Sequence, residues 1–386
     1  FFLMIQPPPK STPLYSSAAS DVYKRQKCYS SNKNGSKDTV HRSIILGYSL
    51  DTKRNYCIIM TYTQIENTII ERAKLNCSNV DKQSPAVILL TEGDDPRMVK
   101  AAQLITSASI GRVVLLFKDK IQTGLSDITS ISVFKNELKE KFALDYLAAR
   151  QGKGETLDQV IKLMNNPLFF GAMYLKHGLV DVSVSGAANT TADVFRAGAK
   201  CLGTASGIKT ASSFFLMILP DGRALTYADC ALLPYPNSEE LADIAISAAM
   251  NHQKLTSEIP RVAMLSFSTK GSANHEKVNL VREAFEIVKK REPNLVIDAE
   301  LQFDAAFVPE VHARKSPNSP IKGDANVFVF PNLDAGNIAY KITERIGKAK
   351  AIGPLLQGLA KPWMDLSRGC SVEDIIMTAA VATLLK

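Results

Sequence analysis

From residue 86 onward, short apolar runs of strand length alternate with longer stretches of helical period, and this alternation leaves few folds open. The runs at 86–90, 112–117 and 180–184 read as strands, separated by helical patterns at 97–108, 135–149, 156–164 and 167–177. An opening helix over 62–76 carries Ile65, Ile69 and Ala73 at helical spacing. Farther on, 213–219 and 224–231 read as strands joined by a hairpin turn at Asp221-Gly222. Strands at 261–267, 295–299 and 326–330 then alternate with helices at 237–253, 273–290 and 336–346, and a last helix covers 371–385. Alternating β and α units predict an α/β fold, a mostly parallel sheet with helices on both faces. A length of 386 residues exceeds what one core accommodates and predicts two domains. No apolar run reaches the ~18 residues that a membrane span requires.

The net charge of +8 is unevenly spread. Residues 1–59 hold nine Lys and Arg against three Asp, so the remainder is close to neutral and carries no basic footprint for nucleic acid. That front segment has no periodic apolar pattern and contains Pro7-Pro8-Pro9. Ser17-Ala18-Ala19-Ser20-Asp21-Val22-Tyr23-Lys24-Arg25-Gln26 reads as a translated library-adaptor leader, followed by sequence read through in frame to Met60. The other reading is an organellar transit peptide, which its Lys, Arg and Ser content allows. Residues 1–59 are therefore set apart from the fold as a non-native or disordered leader.

Several chemistries lack their signatures. No G-x-G-x-x-G follows a strand and no G-x-x-x-x-G-K-[ST] exists, which argues against the usual dinucleotide and P-loop sites. Ser183 stands where a nucleophile elbow around Ser185 would need Gly. The six Cys show no C-x-x-C and the five His no H-x-x-x-H, so no metal is expected and a reducing compartment is.

Two loops concentrate reactive groups. Lys361 to Cys370, opened by Pro362 and closed by Gly369, offers Ser367, Arg368 and Cys370, with Asp374 just beyond. Arg grips phosphate in a bidentate fork and a carboxylate takes a proton, so the set suits chemistry on an anion. Ser371-Val372-Glu373-Asp374 is equally a capping box. The second loop, Ser185-Gly186-Ala187-Ala188-Asn189-Thr190-Thr191, runs from a strand into a helix bearing Arg196. Backbone N–H groups and the helix dipole make such a place a natural anion site; an ordinary Thr N-cap is the alternative.

Eight blocks carry a resemblance that covers the chain from about Met60 to its end. They are Glu92-Gly93-Asp94-Asp95-Pro96-Arg97, Asn166-Pro167-Leu168-Phe169-Phe170-Gly171-Ala172-Met173, the Ser185-to-Asp193 loop and Ser212-Ser213-Phe214-Phe215-Leu216-Met217. Glu300-Leu301-Gln302-Phe303-Asp304-Ala305-Ala306, Asn326-Val327-Phe328-Val329-Phe330-Pro331, Ala335-Gly336-Asn337-Ile338-Ala339-Tyr340-Lys341 and Asp365-Leu366-Ser367-Arg368-Gly369 complete them. In these blocks the chain resembles the phosphate acetyltransferases of the phosphate acetyl/butyryltransferase family.

The resemblance implies the reaction acetyl phosphate + CoA ⇌ acetyl-CoA + phosphate, with coenzyme A as a substrate and no further cofactor. It implies two α/β/α domains, 60–208 plus 358–386 and 209–357, in a cytoplasmic homodimer with the site in the interdomain cleft. An organelle matrix would follow if 1–59 were a transit peptide. By motif, Asp374 matches the general base for the CoA thiol, while Arg368 and Ser367 match residues that bind acetyl phosphate. Arg196 and Arg150 match arginines of the phosphate and CoA sites, and Ser185, Gly186, Thr190 and Thr191 belong to the expected anion loop. Trp363-Met364 departs from the small aliphatic residue and Asn expected there, and Arg150-Gln151-Gly152-Lys153-Gly154 from a more basic stretch. Three alternatives stand beside this reading: a butyryl-type acyl specificity, an acylated Cys370, and a non-catalytic homologue that binds acyl-CoA or phosphate.

Overall fold

The structure, a computed structural model, describes residues 42–48, 57–62, 64–78 and 85–386. The adaptor-like run at 17–26 lies outside them. β1 (Arg42–Tyr48) and β2 (Cys57–Tyr62) pair antiparallel, so strand structure reaches into the stretch set apart on charge and pattern. α1 (Gln64–Ser78) follows as the expected opening helix.

The first sheet then forms. β3 (Val87–Leu90), α2 (Pro96–Ser107), β4 (Arg112–Phe117) and β5 (Thr129–Ser132) run toward one edge. After α3 (Leu138–Ala149), α4 (Leu157–Leu163) and α5 (Pro167–Lys176), the chain returns to the other side of β3 as β6 (Val182–Val184), which leads into α6 (Thr191–Leu202). Local chemistry sets the starts of these helices. Asp95 and Asn166 cap α2 and α5 through side-chain oxygens, each followed by a Pro whose missing N–H costs nothing at that position.

A second, six-stranded sheet follows: β7 (Ser212–Ile218), β8 (Ala224–Ala228), α7 (Ser238–Thr256), β9 (Arg261–Leu265), α8 (Glu276–Arg291) and β10 (Val296–Leu301). It continues through α9 (Phe303–Phe307), α10 (Pro309–Lys315), β11 (Val327–Val329), α11 (Leu333–Arg345) and β12 (Lys350–Gln357). Its order is β10-β9-β11-β8-β7-β12, parallel from β10 to β8 and antiparallel at β7 and β12. The β7–β8 hairpin turns at Asp221-Gly222 as expected, Gly222 taking φ 89°.

The chain finally returns to the first sheet. β13 (Trp363–Met364) joins β6 at its edge, giving the all-parallel order β13-β6-β3-β4-β5. The outgoing and returning segments pair where they cross, Ala205 N–H donating to Gly358 O at 2.9 Å and Ala360 N–H to Gly203 O at 3.1 Å. α12 (Val372–Leu384) is apolar on nearly every face, and it is buried from Ile375 to Leu384 against α1, α2 and β6.

β5, β12, β13 and the short helices α9 and α10 were not expected from the pattern. β12 contains Gly353-Pro354, which breaks a strand signal, yet it is the sheet's edge strand, where Pro is tolerated. Trp363 is fully buried against Gly198 of α6, its indole N–H donating to Val194 O at 2.9 Å. This departure from the family pattern is thus absorbed by core packing.

Candidate active site

In an open parallel sheet the natural crevice lies beyond the strand C-termini, where connections diverge to opposite sides. Here that point falls between β3 and β6, since β4 and β5 lie on one side of β3 and β6 and β13 on the other. The loops leaving these two strands meet in one arrangement. The Glu92 carboxylate, 7% exposed, accepts from four consecutive backbone N–H groups: Gly186 and Ala187 on Oε2 at 2.9 and 2.8 Å, Ala188 and Asn189 on Oε1 at 3.1 Å each. Asn189 Nδ2 adds a fifth donor at 2.6 Å.

The small-residue loop therefore is an anion nest, as its composition suggested, but the anion is a side chain of the protein. Ser185 is fully buried and its hydroxyl accepts from Thr91 Oγ1 at 2.8 Å. Thr190 caps α6, accepting from Asp193 N at 3.2 Å, and Thr191 Oγ1 donates to Asp365 Oδ2 at 2.5 Å. The polar groups expected to hold substrate at Ser185 and Gly186 are thus engaged within the fold.

The neighbouring strand end carries the exposed chemistry. Ser367 to Cys370 form a turn closed by Cys370 N–H to Ser367 O at 2.9 Å, with Ser367 and Arg368 open to solvent. Asp374 is exposed at the third position of α12. The capping box is real: Ser371 N–H donates to Asp374 Oδ2 at 2.9 Å, and Asp374 N–H to Ser371 Oγ at 3.1 Å. One carboxylate oxygen remains for other work. Asp374 also lines a groove of about 490 Å³ with Glu344, Arg345, Lys348 and Lys350 from the second-sheet side. A larger cavity, about 620 Å³, lies at the crossover segments 205–208 and 356–362, away from Arg368 and Asp374.

Arg97 underpins the turn. Its guanidinium donates to Arg368 O and Cys370 O at 2.9 Å each, to Ala187 O at 2.7 Å, and to both Asp95 oxygens. Cys370 Sγ lies beside it, 3.8 Å from Nη1. Burial pushes the thiol up to about 11, so it is a neutral and poor nucleophile at pH 7, and among the described residues no His bonds to it. That weakens the acyl-cysteine route.

The remaining arginines stand differently. Arg196, on the exposed face of α6, pairs with Asp193 at 2.6 Å. Arg150 ends α3, pairs with Glu155 at 3.0 Å and lies over the Tyr146 ring at 5.3 Å. Among the described residues neither bonds to the Ser367–Asp374 segment. The structure thus gathers Ser367, Arg368 and Asp374, and the Ser185–Thr191 loop, at adjacent strand ends, while Arg150 and Arg196 keep partners of their own. Sequence reasoning missed the roles of Glu92, Arg97, Asp365 and Arg345. The first three sat inside recognised blocks but without an assigned partner, and nothing local marked Arg345 as lining one groove with Asp374.

A parallel-sheet strand end presenting a hydroxyl and a guanidinium on one exposed turn, with a carboxylate at the start of the following helix, fits an α/β enzyme that transfers a group to or from an anion. The model of the phosphate acetyl/butaryl transferase family matches residues 65–383. A phosphate acetyltransferase of Clostridium acetobutylicum is 46% identical over 321 residues, covering 80% of this chain and 96% of that protein. Among solved structures, a phosphotransacetylase from Streptococcus pyogenes superposes with a TM-score of 0.77 at 38% identity, covering 83% of this chain and 98% of that one. The EutD phosphotransacetylase from Staphylococcus aureus gives 0.75 at 37% identity, with the same two coverages. The chain belongs to the phosphate acetyl/butaryl transferase family.

Proposed function

We propose that this chain catalyses the reversible transfer of an acetyl group between acetyl phosphate and coenzyme A by direct attack in a ternary complex. Ser367 and Arg368 exposed on one turn, with Asp374 exposed at the start of the helix that follows it, within a chain that matches this family over 65–383, is the observation that carries the reading.

Chemistry assigns the roles. The CoA thiol is mostly protonated at pH 7, so Asp374 takes its proton as sulfur attacks the acetyl carbon. Such a base contributes about 10²–10⁴-fold in rate. The C–S bond forms, the C–O bond to phosphate breaks, and the charge developing on the departing phosphate is stabilised by the Arg368 guanidinium and the Ser367 hydroxyl until it takes up the thiol's proton and leaves as hydrogen phosphate. An Asp is a weak base for a thiol, and neighbouring cations help by favouring the thiolate. That Arg345 and Lys348 line one groove with Asp374 supports such a role. Arg150 and Arg196 serve the phosphates of CoA, which requires them to exchange or share Glu155 and Asp193.

The same reading assigns residues 60–208 with 358–386 to one domain and 209–357 to the other. It makes the protein a cytoplasmic homodimer. Ile338, Ile342 and Ile346, exposed at four-residue intervals along α11 and just past it, supply an apolar stripe for a second copy, and the buried free thiols of Cys201, Cys230 and Cys370 suit a reducing compartment.

Thioester formation from CoA and acetyl phosphate, followed by ultraviolet absorbance, tests the function, with butyryl phosphate run in parallel. Acetyl transfer is expected to be the faster, and Arg368→Ala to lower kcat by about 10²–10³-fold. No turnover with either acyl phosphate, alongside intact CoA binding, would leave only a ligand-binding protein.

A further inference from the structure

The cluster between β3 and β6 links three chain segments through two buried or half-buried charges. Glu92 fills the nest of residues 186–189 with five hydrogen bonds. Arg97, one turn into the same loop–helix unit, spans from Ala187 O in that nest to Arg368 O and Cys370 O in the exposed turn. Backbone carbonyls bound by a planar guanidinium have little freedom to drift, because its donors are fixed in one plane. The exposed turn has few other anchors of its own: Cys370 N–H to Ser367 O, and Gly369 N–H to Ser367 Oγ at 3.2 Å.

We propose that Glu92 and Arg97 are positioning residues for acyl transfer, a permanent brace between loops that sets where the Ser367 and Arg368 side chains stand, with the 186–189 nest serving as the socket for Glu92 and not as a phosphate site. The inference rests on the catalytic reading of Ser367 and Arg368. Neither residue touches the reacting atoms. Their effect is on placement, and a displacement of about 1 Å in a catalytic group costs roughly 10²-fold in rate.

Glu92→Ala, Glu92→Gln, Arg97→Lys and Arg368→Ala are compared in full-length protein by steady-state thioester formation, with and without sodium formate. Formate is a carboxylate small enough to occupy an emptied nest. In Glu92→Ala, kcat is expected to fall about 10²-fold while KM for CoA stays within about three-fold, the signature of a lost placement effect. Formate is expected to restore part of that kcat saturably and to leave wild type and Arg97→Lys unchanged. Arg97→Lys is expected to lose kcat without rescue, since a single ammonium cannot reach carbonyls in both loops.

Wild-type kcat in a folded Glu92 variant, a loss carried wholly by KM, or a kcat loss in Glu92→Ala that formate leaves untouched would each overturn the proposal. Should Glu92→Ala not fold, Glu92→Gln keeps the shape and removes the charge, and wild-type kcat in it would be equally fatal. Arg368→Ala separates the two levels. If it retains turnover, the catalytic reading itself fails; if it is inactive while the Glu92 and Arg97 variants match wild type, only the positioning proposal fails.

Discussion

Gly186→Ala tests how tightly the turn is set. Gly186 has φ +105°, in the region where a Cβ is strained, which costs about 1–3 kcal/mol. An added Cβ would overlap Asp365 Oδ1 and stand 2.7 Å from both the N and the O of Leu366. Ordinary contact begins near 3.4 Å, so the Leu366 backbone must retreat by roughly 0.7 Å. Overpacking of that kind adds about 1–3 kcal/mol, and together the two terms lower Tm by on the order of 10 °C. Leu366 directly precedes Ser367 and Arg368, so the retreat passes into the reactive turn. A shift approaching 1 Å there is expected to lower kcat by about 10²-fold, well beyond what the stability loss produces at 25 °C. Thermal denaturation and thioester formation on the same preparation check both. A variant with wild-type kcat and a lowered Tm would show that the turn tolerates displacement, and an unchanged Tm would refute the packing argument itself.

Two further outcomes follow from named groups. Asp374→Asn keeps an oxygen for the Ser371 N–H at the start of α12, so stability should change by only a few tenths of a kcal/mol, while kcat drops about 10²–10⁴-fold; equal losses in both, measured by denaturation and turnover, would reduce Asp374 to a helix cap. Burial, with nearby Glu92 adding to it, pushes the Asp365 carboxyl from 3.8 up to about 7. The folded protein therefore holds a proton that the unfolded chain releases between those values, so this group's contribution is fully present below pH 3.8 and is lost as pH rises through 7. Asp365→Asn should remove a fall on the order of 4 kcal/mol across that window, seen as a gap between variant and wild-type stability that widens from pH 4 to pH 8; a constant gap would place the ionised form in the fold.

The α/β alternation was legible because helix and strand periods are local, and because Asp95-Pro96, Asn166-Pro167 and Asp221-Gly222 punctuate the chain with known backbone demands. β12 was not, since Pro354 is a breaker everywhere except on an edge, and edge position is a property of the assembled sheet. The reactive turn was legible as a concentration of Ser367, Arg368 and Asp374. The occupancy of the 186–189 nest was not, because its carboxylate comes from a residue 94 positions earlier in the chain. Local reading correctly identified a place that binds an anion and had no means of knowing that the protein supplies one.

On the proposed mechanism, an internal carboxylate in the nest has a catalytic logic. A nest of four convergent N–H groups would bind phosphate about as well before transfer as during it, and uniform binding of that kind lowers KM without raising kcat. It would also slow release of a phosphate that this reversible reaction must let go. Filling the nest permanently with Glu92 converts the same backbone dipoles into scaffolding, and Arg97 carries the rigidity across to Arg368 O and Cys370 O. On the proposed mechanism the charge that meets the substrate is the exposed Arg368 guanidinium on a fixed turn, where it can gain most as negative charge develops on the leaving phosphate. On that reading anion affinity at the strand ends serves geometry, and discrimination between ground and transition state is left to Arg368.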